Sequence, residues 1–354
     1  MSPNHGLIEH SNTVGFVFCP LFGDIFRFIS SGKAGYVIKL YSLQGSIMSY
    51  DYLAETIEKI NRLRQEKNAV ILVHNYQLGE VQDIGDFVGD SLELSMKAAN
   101  VDADIIVFCG VKFMAETAKV LSPDKTVLLP VSAAGCPMAD MADVDSLCEL
   151  KAQHPNAVTV CYVNTTAEVK TECDLCCTSA NAEKIINSIP KDKDIIFLPD
   201  KNLGANVEIM TGRKMILWEG FCPTHMRITK AMVERKKAEF PDAVVIVHPE
   251  CSPAIVALAD EQLSTGGMVK FVKETTAQTI IVGTEVGMIH RLQKEAPNKK
   301  FVSISEQAVC MNMKMINLTD VLAALENNET AIELSEDIIV NAEAPIRKML
   351  DLSK

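Results

Sequence analysis

Positive charge is in deficit along this 354-residue chain: 34 Lys and Arg stand against 46 Asp and Glu, a formal net charge of −12. That balance argues against nonspecific nucleic-acid binding, which relies on clustered cations to neutralise phosphates, and it reads as solvated acidic surface. Long unbroken apolar runs are missing as well. The apolar tract within the first 47 residues is interrupted by Asp24 and Arg27, which makes it a poor secretory signal and unfit to span a membrane. Paired Cys-x-x-Cys knuckles of the structural-zinc kind are absent apart from Cys173 and Cys176. Eleven cysteines without a convincing secretory segment suit a reducing cytoplasm better than a disulfide framework. Most of them, Cys109, Cys148, Cys161 and Cys251 included, lie in or beside apolar runs and read as small packing residues.

What the chain does have is a beat. Cys136, Cys222 and Cys310 are separated by 86 and 88 residues, each just past a β-type run. The apolar runs AVILVHNY, AVTVCYVN and AVVIVHPE carry His74, Tyr162 and His248 at matching places, 88 and 86 residues apart. Seventeen residues after each comes a small hydroxyl residue, Ser91, Ser179 and Thr265, opening a helix-like stretch. Short β-branched runs alternate with helical patterns throughout, the signature of βα units on parallel sheets. The expected fold class is therefore α/β: three homologous αβα modules with parallel sheets around a pseudo-threefold axis, and an active site at their junction. The modules are expected over residues 48–142, 143–226 and 227–312, with 313–354 packing back on the body. Residues 1–47 are expected to be an extension or an upstream start assigned in error, since a helix-like segment follows Met48. A solenoid is the competing architecture, but it would leave the polar strand ends and the cysteines without a shared purpose.

Ligands of open α/β sheets collect at the carboxyl ends of the strands, and here those ends carry His74, Tyr76, Tyr162, Asn164, His248 and Glu250. Three isolated thiolates are an incomplete set for tetrahedral zinc or a four-iron cluster. A 4Fe-4S cluster on three cysteines would keep one iron open as a Lewis acid; by spacing alone, zinc and plain core cysteines remain alternatives. Cys173 and Cys176, with no partner elsewhere, read as a short buried strand. GDS at 89–91, TSAN at 178–181 and STGG at 264–267 are candidate helix N-termini for anions, with ordinary capping as the alternative for each. The two glycines after Thr265 would let backbone approach a bulky anion. His248 and Glu250 end a buried strand at the expected site and suit proton transfer, whereas His154 and His290 read as ordinary histidines and His5 and His10 as part of the leader.

From about residue 50 onward the chain resembles the quinolinate synthase family, the A protein of bacterial NAD biosynthesis. The resemblance rests on motifs in order, among them HNYQ at 74–77, GDSLELS at 89–95, CPMAD from Cys136, YVNTTAEVK at 162–170, HPEC at 248–251, STGGM at 264–268, GTEVGMIHRL at 283–292 and CMNMKMINL at 310–318. It implies one oxygen-sensitive 4Fe-4S cluster per chain, held by Cys136, Cys222 and Cys310 with one open iron. It implies a transferase that condenses iminoaspartate with dihydroxyacetone phosphate to quinolinate, releasing phosphate and water. His74, Ser91, Asn164, Ser179, His248, Ser264 and Thr265 would hold carboxylates or phosphate. Tyr76, Tyr162, His248 and Glu250 would serve proton transfers. A transient contact with the L-aspartate oxidase or dehydrogenase that supplies the imine is implied too, with no nucleic-acid or membrane partner.

Two departures from the family pattern are visible. His225 sits in CPTHMRIT, where many members carry an acidic residue after the histidine, so its role is left open. Met313 occupies the position where some members have a second cysteine after Cys310, which argues against thiol switching there. The competing functions are another cluster-dependent hydro-lyase and a non-catalytic iron–sulfur protein.

Overall fold

The β-type runs form strands, and each group of four makes its own parallel sheet. In the computed structural model of the chain, the described residues are 50–354, with side chains from Tyr52, together with the backbone of three short strands before them. Those three, Val14–Cys19, Asp24–Ile29 and Val37–Lys39, pair antiparallel in chain order. The rest of the extension expected over 1–47 lies outside the described residues. Two compact units divide the chain, Met1–Asn61 and Arg62–Lys354. The helix expected after Met48 runs over Tyr50–Glu66.

The first sheet contains Ala69–His74, Phe87–Gly89, Ile105–Cys109 and Thr126–Leu128. The second contains Val158–Tyr162, Leu175–Cys177, Ile195–Leu198 and Ile216–Leu217. The third contains Val244–Val247, Glu261–Gln262, Thr279–Gly283 and Lys300–Ser303. Each sheet places its second strand at one edge, then the first, third and fourth. The register repeats with the order: Leu72 pairs with Phe87, Val160 with Leu175 and Ile246 with Glu261, always 15 residues on. Three copies of one parallel α/β module thus make up the second unit, as the beat of the sequence implies.

Burial explains why the central strands read as unbroken apolar runs: Ile105–Cys109 and Ile195–Leu198 are buried at every position, so neither face needs polar residues. In each module the helix after the second strand packs beside the helix after the third, as Ser91–Asn100 does against Lys112–Leu121. Cys109, Cys161 and Cys251 are fully buried packing residues. Cys176 lies in the short strand Leu175–Cys177, in register with Cys161, with its thiol 3.4 Å from that of Cys161.

A further repeat went unread in the sequence. Asp86, Asp174 and Asp260 each precede the second strand of their module. In each case the carboxylate accepts the backbone N–H of a first-strand residue, Ile71, Thr159 or Val245, at 2.8 Å. The same aspartate's own N–H returns to that residue's carbonyl at 2.9 Å. One side chain thus continues the ladder where the short second strand has not yet begun, satisfying groups at the sheet's edge that would otherwise need water.

At the far end of the chain, Ala331 bridges antiparallel to Leu128 at the edge of the first sheet. The final helix, Glu336–Leu352, packs on Leu175–Cys177 and on the helices Ala167–Thr171 and Lys112–Leu121.

Candidate active site

Because the three sheets share one topology, the carboxyl ends of their first strands carry equivalent residues, and these converge. His74 and Tyr76, Tyr162 and Asn164, and His248 and Glu250 line a single cavity, with Cys136, Cys222 and Cys310 around the same space. Ser91, Ser179 and Thr265 line it too. Ser264 does not: its hydroxyl accepts from Gly267 N–H at 3.0 Å as a helix cap and donates to Asp90 at 3.3 Å. Of the two neighbours expected to hold substrate, Thr265 thus faces the cavity and Ser264 faces Asp90.

Two other local expectations change. Ser179 does not open a helix but lies in the turn before Ala182–Ser188, with its hydroxyl 3.2 Å from His248 Nε2. Gly266 lets the backbone approach a protein carboxylate, since a Cβ there would meet Asp90 Oδ2 at 2.6 Å. Asp90 also caps the helix Ser91–Asn100, accepting from Leu92 and Glu93 N–H at 3.0 and 2.9 Å. Several of the helix N–H groups that could meet an anion are thus already used by side chains.

Each cysteine opens a turn of the same form. The N–H of the residue four further on, Asp140, Met226 or Lys314, reaches the cysteine's carbonyl at 3.1, 3.1 and 3.2 Å. Two residues before each cysteine, the carbonyls of Ala134, Gly220 and Ala308 accept from Lys112, Lys201 and Val286 N–H just beyond the third strand of the same module. Burial pushes all three thiols up, Cys136 to about 12, while turn N–H groups aimed at sulfur act the other way: Ala139 and Met138 on Cys136, His225 on Cys222, Met313 and Asn312 on Cys310. Thiols with backbone donors pointed at them suit a bound metal group, whose charge drives deprotonation and whose thiolates then accept those bonds.

Beside the cysteines runs a chain of hydrogen bonds. Tyr76 Oη lies 2.6 Å from Thr284 Oγ1, which is 2.8 Å from His225 Nε2. His225 Nδ1 is 2.8 Å from Glu250 Oε2, and Tyr162 donates to Glu250 Oε1 at 2.6 Å. Burial, with Glu250 nearby, raises both tyrosines well above their usual range. Burial alone would raise Glu250, but His225, His248 and the bond from Tyr162 override it and hold the carboxyl well below its ordinary range. Donor atoms of Cys222, His225 and Glu250 all lie within 4.8 Å of one another, a group able to hold a metal ion. Burial depresses His74 and His248 to about 3, leaving both neutral near pH 7. Among the described residues, no Lys or Arg lines the cavity.

A depressed histidine makes a testable statement about pH. Between its folded value near 3 and an unfolded value near 6.5, His74 binds more protons when unfolded. Its contribution is whole above that upper value and is lost as the pH falls through the window. The metal-free protein is expected to lose about 2 kcal/mol of stability to this residue by pH 5, and His74→Gln should flatten that part of a urea-denaturation pH profile.

Residues 58–351 match the family model described as "Quinolinate synthetase A protein". The chain belongs to the quinolinate synthetase A family. Relatives named quinolinate synthase agree along nearly their whole length. That of Dehalococcoides mccartyi (strain CBDB1) is 55% identical over 292 residues, 82% of this chain and 96% of its own. That of Geobacter metallireducens is 50% identical over 302 residues, 85% and 99% of the two chains. That of Methanosarcina barkeri is 50% identical over 297 residues, 84% and 97%. A solved structure, the E-1-hydroxy-2-methyl-but-2-enyl-4-diphosphate reductase from Plasmodium falciparum, aligns over 78% of this chain and 95% of its own at 12% identity. Its TM-score of 0.28 is too low to bear on the fold.

Sequence reasoning left His225 without a role and missed three residues of this quinolinate synthetase A chain: Thr284, Asp90 and Glu285, which lines the cavity and accepts from Cys310 N–H at 3.1 Å. Thr284 and Glu285 follow the third strand of the third module, whereas polar residues were sought at first-strand ends. They lie within the motif GTEVGMIHRL, which the repeat by itself ties to no position in the site. Among the described residues, no helix is long and apolar enough to cross a membrane.

Proposed function

We propose that this chain is a quinolinate synthase of NAD biosynthesis, a transferase that condenses iminoaspartate with dihydroxyacetone phosphate to give quinolinate, phosphate and water. The observation that carries this reading is one cavity in which a cysteine from each module meets the linked side chains of Tyr76, Thr284, His225, Glu250 and Tyr162. Cys136, Cys222 and Cys310 would hold one 4Fe-4S cluster, which their turn donors fit. The chemistry such a group supplies when bound is Lewis acidity at the iron without a cysteine, suited to the loss of hydroxide.

The protein's own residues move the protons. With Nδ1–H of His225 donating to Glu250, its Nε2 is free to accept from the Thr284 hydroxyl, which in turn accepts from Tyr76. Tyr76 can then take a proton from bound substrate while its own moves to the Thr284 oxygen and the Thr284 proton moves to His225 Nε2, giving an imidazolium paired with the Glu250 carboxylate. The order of roles is that of a Ser-His-Asp triad, with a tyrosine and threonine ahead of the base. Tyr162, on the other oxygen of Glu250, offers a second donor for groups that leave or cyclise.

His74, Ser91, Asn164, Ser179, His248 and Thr265 would hold the carboxylates and phosphate through neutral donors. Asn164 Oδ1, buried and without a protein partner, is available to a substrate donor. An unstable imine substrate favours a transient encounter with the oxidase or dehydrogenase that makes it, and an oxygen-sensitive cluster favours a reducing cytoplasm.

Anaerobically purified protein, reconstituted with iron and sulfide and given dihydroxyacetone phosphate with iminoaspartate generated in place, is expected to form quinolinate. A Cys222→Ala control should form none. No product from protein with a full cluster would overturn the reading and favour a hydro-lyase acting on another hydroxy acid.

A further inference from the structure

Each cysteine turn hangs from the end of the third strand of its own sheet, and that anchorage does not set the distance from one cysteine to the next. Contacts from turn to turn do so in a closed cycle. From the first turn to the second, the sulfur of Met141, five residues after Cys136, lies 3.4 Å from the N–H nitrogen of Phe221, the residue just before Cys222. The carbonyl of Met141 also accepts from Trp218 Nε1 at 2.8 Å. From the second to the third, Arg227, five residues after Cys222, donates to the carbonyls of Gln307 and Val309 at 3.1 and 3.4 Å. Val309 immediately precedes Cys310. From the third back to the first, Asn312, two residues after Cys310, donates to the carbonyl of Gly135 at 2.9 Å, just before Cys136.

We infer that Trp218, Arg227 and Asn312 are positioning residues that close the three cysteine turns into a ring and so fix the spacing of the thiols. The inference rests on the proposed reading that these cysteines hold an iron–sulfur group. None of the three side chains lines the cavity, so their work is done through the turns and not on substrate. A cluster bound by three thiols leaves more readily when one thiol can drift, and each link of the ring restrains the residue just before a ligand, Phe221, Val309 or Gly135, the Trp218 bond doing so by holding Met141, the partner of Phe221. Hydrogen bonds from Arg227 carry a formal charge and are the stronger for it. Because the ring is closed, opening it once frees the turns on both sides of the break, and a second opening adds less.

The test uses full-length protein reconstituted anaerobically, with Asn312→Asp, Arg227→Met and Trp218→Phe made singly and the first two also combined. Each single variant is expected to release iron to a ferrous chelator roughly tenfold faster than the parent, with an altered EPR line shape of the reduced cluster and an unchanged melting temperature of the metal-free protein. The double variant should fall short of the product of the two single factors, and Arg227→Lys should regain part of the parent's retention. Release rates and spectra equal to the parent's would overturn the inference, as would faster release that merely tracks a fall in melting temperature. Should Trp218→Phe fail to fold, Asn312→Asp and Arg227→Met decide, since both lie away from the core. A parent that takes up no iron would instead overturn the cluster reading, a result distinguishable from loss of the ring.

Discussion

Glu250→Gln is expected to slow quinolinate formation by about three orders of magnitude, within the span that general acid–base groups supply, while leaving iron content near that of the parent. Glu250 is where two hydrogen-bonded chains meet, one through His225, Thr284 and Tyr76 and the other through Tyr162, and both carry protons on the proposed reading. A glutamine keeps the shape and can still accept from one neighbour, but it cannot pair with the imidazolium that forms when His225 takes a proton. Its amide nitrogen also places a donor where either Tyr162 or His225 presents another. Both consequences fall on the chemical step, so the loss should appear in kcat with KM little changed. A turnover within a few fold of the parent in a variant that retains its iron would rule out the relay.

The second large effect is expected at a cysteine. Cys136→Ala should abolish stable iron retention and activity together, because two remaining thiols cannot hold a four-iron group against chelators. The metal-free variant should melt close to the parent, since Cys136 lines a cavity rather than filling the core. Cys251→Ala should do the reverse: this thiol is fully buried among the apolar side chains of the third module, so its loss costs stability and leaves the iron in place. Iron assay and thermal melting on both variants check the contrast. A Cys136→Ala protein with full iron would remove that residue from the ligand set.

The three modules could be read from the sequence because parallel strands buried on both faces must be apolar, and their polar ends then stand out. His74, Tyr162 and His248, and the cysteines that follow, kept the beat for that reason. Asp86, Asp174 and Asp260 keep the same spacing, but an aspartate before a strand resembles any turn residue until its partner N–H is seen. Thr284 escaped because it has no hydroxyl counterpart in the other modules; the residues reached by the same path are Gly110 and Pro199. The surroundings of Gly266 and Ser264 were hidden for a different reason. Their neighbour Asp90 is 176 and 174 residues distant in sequence, and only the meeting of two modules reveals the carboxylate beside them.

The lining without ammonium or guanidinium groups has a consequence for the economy of the cell. On the proposed reading, a chamber in which His74 and His248 stay uncharged and no Lys or Arg lines the wall offers multiply anionic guests polarity but no fixed counter-ion, so that iron held at the cysteines would supply most of the attraction. Occupancy by substrate would then follow occupancy by metal. Molecules stripped of their iron by oxygen would leave scarce metabolites in circulation rather than hoard them, and the damaged pool would be silent instead of inhibitory.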